Sequence, residues 1–258
     1  MLKEYNLPSR ERLAQFADLI GDHNPLHRNR DYALAHPMKF TDTPVLAVLL
    51  EAVTERQTTE GVKSNHLKYT GHSFKFKNPI YPTDTLKLDI EVLNINPDLA
   101  TYAVNGRNKL DASPVFTSNA IFSSNYPAFV QDDSLVLCKS AETISSADLS
   151  NFYDLANLSA QDIIPWMLAA SQIPAALLAG TYEKTGAYEG LSRSIDIKFH
   201  SQPALGFFQT NIHLIGEPRS LRGQGFRYTF RGITYQSKIP IVSAEIDVVH
   251  PRNLLAGS

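Results

Sequence analysis

The hydrophobic pattern of the first half of the chain changes from helical spacing to strict alternation. Residues 10–20 and 45–59 carry apolar side chains at helical spacing and predict two helices. Between Gly61 and residue 125, apolar and polar positions alternate, most strictly over residues 86–92, as they do in strands with one buried face. Helices followed by antiparallel strands predict an α+β layer in which the sheet wraps the more apolar helix.

The second of these helices has a clear start signal. Thr43 is a favoured N-cap residue and Pro44 is favoured at the first helical position, so we expect the helix to begin there. The residues from Val45 to Leu50 are apolar on every face, and polar residues return only near Glu55. The helix should therefore start in the core and reach solvent later, which would place Glu51 and Glu55 towards its polar end.

The second half of the chain repeats the two helical patterns. The segment Phe152 to Ala156 matches Phe16 to Ile20, and the apolar stretch Ile163 to Gly180 corresponds to the helix of residues 45–59. This stretch has 18 residues without a charge, but two prolines interrupt it and no basic flank follows. It therefore predicts a helix buried on all sides and not a membrane span.

The repeat divides the chain into two units of the same design. We predict an N-terminal unit of residues 1–125, a connector of residues 126–145 and a C-terminal unit of residues 146–258. Two such units can join edge to edge, which satisfies the exposed edges of both sheets. We therefore expect the chain to be its own dimer, a monomeric pseudo-dimer, with a further homodimer left open.

Composition narrows the class of protein. With 258 residues and 43% hydrophobic content, the chain can bury a substantial core. Its 24 basic and 26 acidic residues are evenly spread, which speaks against nucleic acid or a membrane surface as partner. The single cysteine, Cys138, excludes an internal disulfide, and the chain does not open with an apolar signal region. We therefore expect a soluble, cytoplasmic protein.

One loop combines the residue types that proton transfer requires. Asp22 and His27 stand five positions apart with Pro25 between them, and a proline disfavours helix for the residue before it. The segment should leave the first helix as a loop that aims a carboxylate and an imidazole at one point, where they can exchange protons with water. The same segment is also a good Asx turn, in which Asp22 and Asn24 would cap backbone groups and His27 would have no chemical role.

This segment resembles the hydratase motif of the (R)-specific enoyl-CoA hydratases, the MaoC-like group of hot-dog folds. The family pattern runs from an aromatic residue through Gly-Asp-x-Asn-Pro-aliphatic-His to an alanine or serine. The positions that match it are Phe16, Leu19, Gly21, Asp22, Asn24, Pro25, Leu26, His27 and Ala33. Only Ile20 departs, where the family has a small residue. Together with the internal repeat, the resemblance extends to a double hot-dog arrangement over roughly the whole chain.

The resemblance implies a hydro-lyase. Such an enzyme adds water to a trans-2-enoyl thioester, or removes it from an (R)-3-hydroxyacyl thioester, carried by CoA or by an acyl carrier protein. Asp22 and His27 would be the catalytic pair and Asn24 would orient them, with no metal or other cofactor. The motif has no counterpart in the second half of the chain, so one active site per chain is expected.

The resemblance also places donors for the thioester oxygen at the start of the central helix. Where the family has His-Gly, whose glycine amide is such a donor, this chain has Thr43-Pro44, and proline has no N–H. We expect Thr43 and Val45 to contact the substrate, and either the Val45 N–H replaces the missing donor or the enzyme is slow or inactive.

Three other interpretations compete with this one. A non-catalytic protein would keep the acyl-thioester pocket and lose the chemistry. A thioesterase would usually place its acid on the central helix, where Glu51 and Glu55 lie towards the polar end. His23 and His27 have the spacing of metal ligands, but Pro25 breaks the helix that would put them on one face, so no metal site is expected.

Overall fold

The computed structural model of the protein describes residues 1–36, 39–62, 66–131, 136–158, 166–186, 190–221, 225–251 and 253–254. The helices are α1 (Arg10–Leu19), α2 (Arg30–Ala35), α3 (Ala47–Thr59), α4 (Ser146–Leu155), α5 (Trp166–Ala170) and α6 (Gln172–Thr185). The strands are β1 (Leu2–Asn6), β2 (Lys68–Phe76), β3 (Thr85–Asn96), β4 (Leu99–Asn108), β5 (Pro114–Ser123), β6 (Val136–Ile144), β7 (Leu191–Phe199), β8 (Gly206–Leu221), β9 (Gly225–Gln236) and β10 (Ile239–His250). None of the described helices is long and apolar enough to cross a membrane.

The order of the strands displays the internal repeat. The sheet runs β1-β3-β4-β5-β2-β7-β10-β9-β8-β6, so the second half of the chain follows the first half in reverse order. The two halves meet at β2 and β7, which pair antiparallel with Gly71 opposite Lys198 and Lys75 opposite Ser194. One chain therefore supplies both partners of the central strand pair, and the predicted α+β architecture of two joined antiparallel units is confirmed.

The helices of the two halves also pack against each other. The rings of Phe16 on α1 and Phe152 on α4 lie 5.2 Å apart between centroids, and both side chains are fully buried. On α3, Leu49 and Val53 are completely buried as well. Burial of these apolar faces, which is the main favourable contribution to folding, holds the first unit against the second.

Glu55 on α3 adds a polar tie between the halves. Its Oε1 accepts the N–H of Trp166 and its Oε2 accepts the N–H of Met167, each at 3.0 Å, so it caps the first turn of α5. Glu51, one turn earlier, is only 2% exposed. The prediction that α3 reaches solvent near these two residues is therefore wrong, and at Glu55 it is the second half of the chain that covers the helix.

A strand lies within the predicted connector of residues 126–145. The boundaries of the two units remain a prediction, but β6 occupies residues 136–144 and pairs with β8 at the edge of the sheet. Only Ile144 of this strand is buried, so its sequence lacks the alternation that reveals a strand with one buried face. The start of the predicted second central helix, residues 163–165, lies outside the described residues.

Candidate active site

The motif segment leaves α1 through a left-handed residue. Gly21 has φ +70°, a conformation that glycine adopts at little cost at the end of a helix. The N–H of the next residue, Asp22, still donates to the carbonyl oxygen of Ala17 at 2.8 Å. The position of Asp22 is therefore set by the last turn of α1.

Two successive Asx turns then shape the loop. Asp22 Oδ1 accepts the N–H of Asn24 at 2.9 Å, and Asn24 Oδ1 accepts the N–H of Leu26 at 3.0 Å. Pro25–His27 follow as a 3-10 turn. The turn chemistry expected of Asp22 and Asn24 is therefore present, but it occupies only one of the two carboxylate oxygens of Asp22.

The other oxygen of Asp22 points to His27. Asp22 Oδ2 and His27 Nε2 are 3.9 Å apart, and the two side chains are 14% and 15% exposed. This separation is longer than a direct hydrogen bond of about 2.7–3.2 Å. It is short enough for one small polar group to contact both atoms. The structure thus brings the two predicted catalytic side chains together.

His27 is held from behind by Pro44. The Nδ1 atom of His27 lies 2.8 Å from the carbonyl oxygen of Pro44. Because a carbonyl oxygen only accepts hydrogen bonds, Nδ1 must carry a proton. In the neutral ring, Nε2 then presents its lone pair to Asp22, so both facing atoms of the pair are acceptors.

Helix α3 starts later than predicted. Its N-cap is Leu46, with extended backbone angles of φ −64° and ψ 139°, and its first helical residue is Ala47. The expected start at Thr43-Pro44 is therefore wrong. The amides of Ala47 and Val48 have no acceptor within the helix because no earlier turn precedes them. Of these two residues, Val48 is buried and Ala47 is half-buried.

The backbone N–H groups of the two predicted substrate-binding residues, Thr43 and Val45, already donate hydrogen bonds within the chain. The N–H of Thr43 donates to Asp42 Oδ1 at 2.7 Å, and that of Val45 donates to the carbonyl oxygen of Ile80 at 2.9 Å. Asp42 is held in turn by Arg10. Burial alone would raise the pKa of the Asp42 carboxyl, but the hydrogen bonds from Arg10 and Thr43 outweigh burial and lower it. Val45 N–H is therefore not free for the role that the sequence predicted.

A second set of titratable side chains lies in the core beside α3. Burial raises the pKa of Glu51 to about 8. Burial also raises the pKa of Glu55 to about 7, although the two backbone N–H groups it accepts act in the opposite direction. Tyr69, whose hydroxyl contacts Nδ1 of His72, has a pKa well above its usual value, because of burial first and then of Glu55 and Glu51. Burial lowers the pKa of His72 to about 3.

Two residues at the site were missed by the sequence patterns. Arg28 donates to the carbonyl oxygen of Asp22 from Nε at 3.1 Å and from Nη2 at 2.8 Å. No spacing rule identifies it, since a long side chain can reach back in many directions. Ala47 could be found only by knowing where α3 begins. Within the described residues, no three His, Cys, Asp or Glu side chains are grouped to hold a metal ion.

Comparison with known proteins finds a family that matches the segment carrying this site. Residues 4–113 match the family described as MaoC like domain. A solved protein from Chloroflexus aurantiacus J-10-fl, described as a MaoC domain protein dehydratase, has a TM-score of 0.72 at 12% identity, over 97% of this chain and 95% of that chain. A conserved hypothetical protein from Mycobacterium tuberculosis with a double hotdog fold has a TM-score of 0.66 at 11% identity, over 96% and 95%.

Thioesterases share the fold as well. A protein from Lactobacillus plantarum, described as an oleoyl thioesterase, has a TM-score of 0.58 at 10% identity, over 96% of this chain and 94% of that chain. The search of curated protein sequences finds no match. The structural likenesses establish the fold, and the family match covers the segment with Asp22, His27 and the start of α3. Residues 4–113 therefore match a MaoC-like domain, and the chain as a whole has the double hot-dog fold.

Proposed function

We propose that the protein adds water to a trans-2-enoyl thioester, or removes it from the corresponding (R)-3-hydroxyacyl thioester, at Asp22 and His27. The observation that carries this proposal is the facing pair of acceptors, Asp22 Oδ2 and His27 Nε2, at 3.9 Å. The match of residues 4–113 to the MaoC-like domain supports a hydratase or dehydratase.

The two acceptors suit one water molecule. A water has two O–H donors and would give one to Asp22 Oδ2 and the other to His27 Nε2, which leaves an oxygen lone pair for attack on C3 of the substrate. As the C3–O bond forms, the pair takes one proton from the water, and it then returns a proton to C2. The product carries the hydroxyl on C3 and the added hydrogen on C2, and the pair regains its starting state. General acid–base catalysis of this kind contributes about 10²–10⁴-fold.

The negative charge that develops on the thioester oxygen needs a donor. We assign this role to the Ala47 N–H, the first amide of α3, in place of Val45 N–H. The positive end of the helix dipole adds to the stabilisation of the developing charge. Ala47 lies three residues after Pro44, whose carbonyl holds His27. The two Cα atoms are therefore at most about 11 Å apart.

The substrate is an acyl thioester of CoA or of an acyl carrier protein, handled in the cytoplasm. One site per chain follows from the sequence, because the second half has no counterpart of the Asp22–His27 segment. The corresponding α5 start is capped by the carboxyl group of Glu55. The second unit then supports the first and forms part of the wall around it.

One specific observation favours a second candidate function, thioester hydrolysis. Glu51 lies one turn after Ala47 on the central helix and is buried there, not at a polar end. Among the described residues, its Oε1 has no hydrogen-bond partner. However, burial raises the pKa of Glu51 to about 8, so at neutral pH it is mostly protonated and is not a ready base. We therefore rank hydrolysis below hydration.

One assay separates these functions. Purified protein is mixed with crotonyl-CoA and longer enoyl-CoA thioesters, and the enoyl absorbance is followed beside a colorimetric test for released thiol. Hydration removes the absorbance without releasing thiol, whereas hydrolysis releases thiol in step with substrate loss. Binding detected by calorimetry with neither signal would identify a non-catalytic acyl-thioester protein instead.

A further inference from the structure

We infer that Arg28 is a positioning residue that sets the geometry of the Asp22–His27 pair. This inference rests on the proposed function, since it assigns a role within the same site. Arg28 follows His27 directly in the sequence, while its guanidinium reaches back to Asp22. It therefore links the two ends of the segment that carries the pair.

The guanidinium contacts two parts of the chain at once. Nε and Nη2 both donate to the carbonyl oxygen of Asp22, at 3.1 and 2.8 Å. Nη2 also lies 2.5 Å from Oδ1 of Asp18, on the last turn of α1. The His23 ring is a more distant neighbour, with Nδ1 at 3.3 Å from Nη2. Arg28 thus binds the end of α1 and the first residue of the motif loop together.

The N–H of Asp22 attaches the start of the loop to Ala17 of α1, and what Arg28 adds is a link from the far end of the loop back to Asp22. The Asx turns of Asp22 and Asn24 join residues only two apart, so they set the local path but not the distance between the ends of the loop. The Nδ1 contact of His27 with Pro44 fixes the imidazole from the opposite side. The Arg28 contacts hold Asp22 itself. A misplacement of about 1 Å in a reacting group can cost roughly 10²-fold in rate, so this restraint has a direct chemical consequence.

The chemistry of the contact favours arginine over lysine. The guanidinium is planar and presents several N–H groups in a fixed fork, which allows it to bind the Asp22 carbonyl and the Asp18 carboxylate together. A lysine ammonium is a single point of charge on a flexible stem and holds such a geometry less well. The competing role for Arg28, whose side chain is 26% exposed, is to bind a phosphate of the substrate carrier.

The test compares three variants in steady-state hydration of crotonyl-CoA over a range of pH. Arg28→Met keeps an unbranched stem that reaches about as far as Nε of arginine and removes the donors, and Arg28→Lys keeps the charge. The matched control is Arg30→Met, because Arg30 has a 57% exposed side chain whose ion-pair partner among the described residues is Asp42, at 4.0 Å. We expect Arg28→Met to lower kcat roughly 10- to 100-fold with little change in KM. Arg28→Lys should recover part of the loss across the pH range, and Arg30→Met should behave as wild type.

A second measurement does not depend on turnover. Amide hydrogen exchange at Asn24 and Leu26 reports on the two turns of the loop, since both amides are hydrogen-bonded there. Faster exchange at these amides in Arg28→Met, but not in Arg30→Met, is expected. If wild type does not hydrate the substrate but Arg28→Met still shows this faster exchange, the hydratase proposal is rejected and the role of Arg28 in positioning the pair is retained.

Three results would overturn the inference. The first is a kcat of Arg28→Met close to wild type together with unchanged exchange. The second is an equal loss in Arg30→Met, which would show a general effect of removing surface charge. The third is a rise in KM at constant kcat, which would show that Arg28 binds the carrier phosphate.

Discussion

His27 Nδ1 lies 2.8 Å from the carbonyl oxygen of Pro44. The sequence drew attention to Pro44 because it has no N–H where a related enzyme has a donor. In the structure, Pro44 lies before α3 and acts through its carbonyl, which determines which nitrogen of His27 carries the proton. In the proposed mechanism the missing amide is therefore not a defect, because the oxyanion donor is assigned to Ala47 at the start of α3.

Asp22→Asn should abolish hydration. Asn Oδ1 can still accept the Asn24 N–H and keep the turn, but the new amide N–H faces Nε2 of His27 where an acceptor stood before. We expect kcat to fall about 10²–10⁴-fold, the worth of general acid–base catalysis, with little change in melting temperature. The measurement is the initial rate of enoyl absorbance loss together with a thermal melt.

The control for this variant is Asp31→Asn, an exposed carboxylate in the first turn of α2. It should leave kcat and KM close to wild type. An Asp22→Asn enzyme that retains the wild-type rate would show that the pair has no catalytic role.

Ala47→Pro tests the assigned oxyanion donor. Proline removes the N–H of Ala47 but is well tolerated at the first position of a helix. The preceding residue, Leu46, already has the extended conformation that proline requires before it, with φ −64° and ψ 139°. Loss of one such donor should lower kcat by about 10²–10³-fold while the fold is retained.

The complementary variant is Pro44→Gly, which adds an amide at the position where the family has its donor glycine. Because α3 begins after this position, the new N–H should not increase the rate, and looser placement of the carbonyl should reduce it modestly. A rate increase of about a hundredfold, the worth of one donor, would move the oxyanion site back to Pro44 and contradict the assignment of Ala47.

Glu51 should make the stability of the protein depend on pH. Burial raises its pKa from 4.5 to about 8 in the folded protein. Between these values the folded state holds a proton that the unfolded chain has released, so the free energy of unfolding falls as pH rises through this window. Each unit of pKa difference corresponds to about 1.4 kcal/mol, so the contribution amounts to a few kcal/mol.

Glu51→Gln removes this titration. Chemical denaturation at several pH values should therefore give a shallower decline for Glu51→Gln than for wild type. The exposed Glu91 on β3 offers a control, since Glu91→Gln should retain the wild-type slope. Parallel curves for wild type and Glu51→Gln would show that Glu51 is ionised at low cost in the folded protein.

Glu55→Ala should weaken the joint between the two halves. The substitution leaves the buried amides of Trp166 and Met167 without their acceptor. Each buried unsatisfied donor costs about 1–3 kcal/mol, so the free energy of unfolding should fall by a few kcal/mol. Glu55→Gln keeps one acceptor oxygen and should lose less. Equal stability of Glu55→Ala and wild type would show that α5 does not depend on this cap.

The chain should be active as a monomer. The central β2–β7 pair, which would join two chains in an ordinary pair of units, is formed here within one chain. Light scattering coupled to size exclusion should find a species with the mass of one chain that retains full specific activity on dilution. A specific activity that falls as a dimer dissociates would contradict this prediction.

The sequence determined the motif loop because its bonds are local. Gly21, Asp22, Asn24 and Pro25 direct the chain through bonds between residues a few positions apart, so their types and order predict the turn. The long strands are likewise visible in the sequence as alternating apolar and polar positions, and the internal repeat is visible as two similar series of such patterns. These patterns were sufficient to place Asp22 and His27 opposite each other and to predict two joined units.

Tertiary structure decided which polar groups at the site are available. Val45 N–H is engaged because Ile80, from the loop after β2, supplies an acceptor, and the first amide of the helix itself is that of Ala47. Glu55 is buried where the second half of the chain covers α3, and Glu51 is buried one turn earlier, although their own helix becomes polar at that point. Hydrogen bonding and burial by residues distant in the sequence do not affect the local spacing of apolar and polar residues. Only the folded structure therefore reveals them.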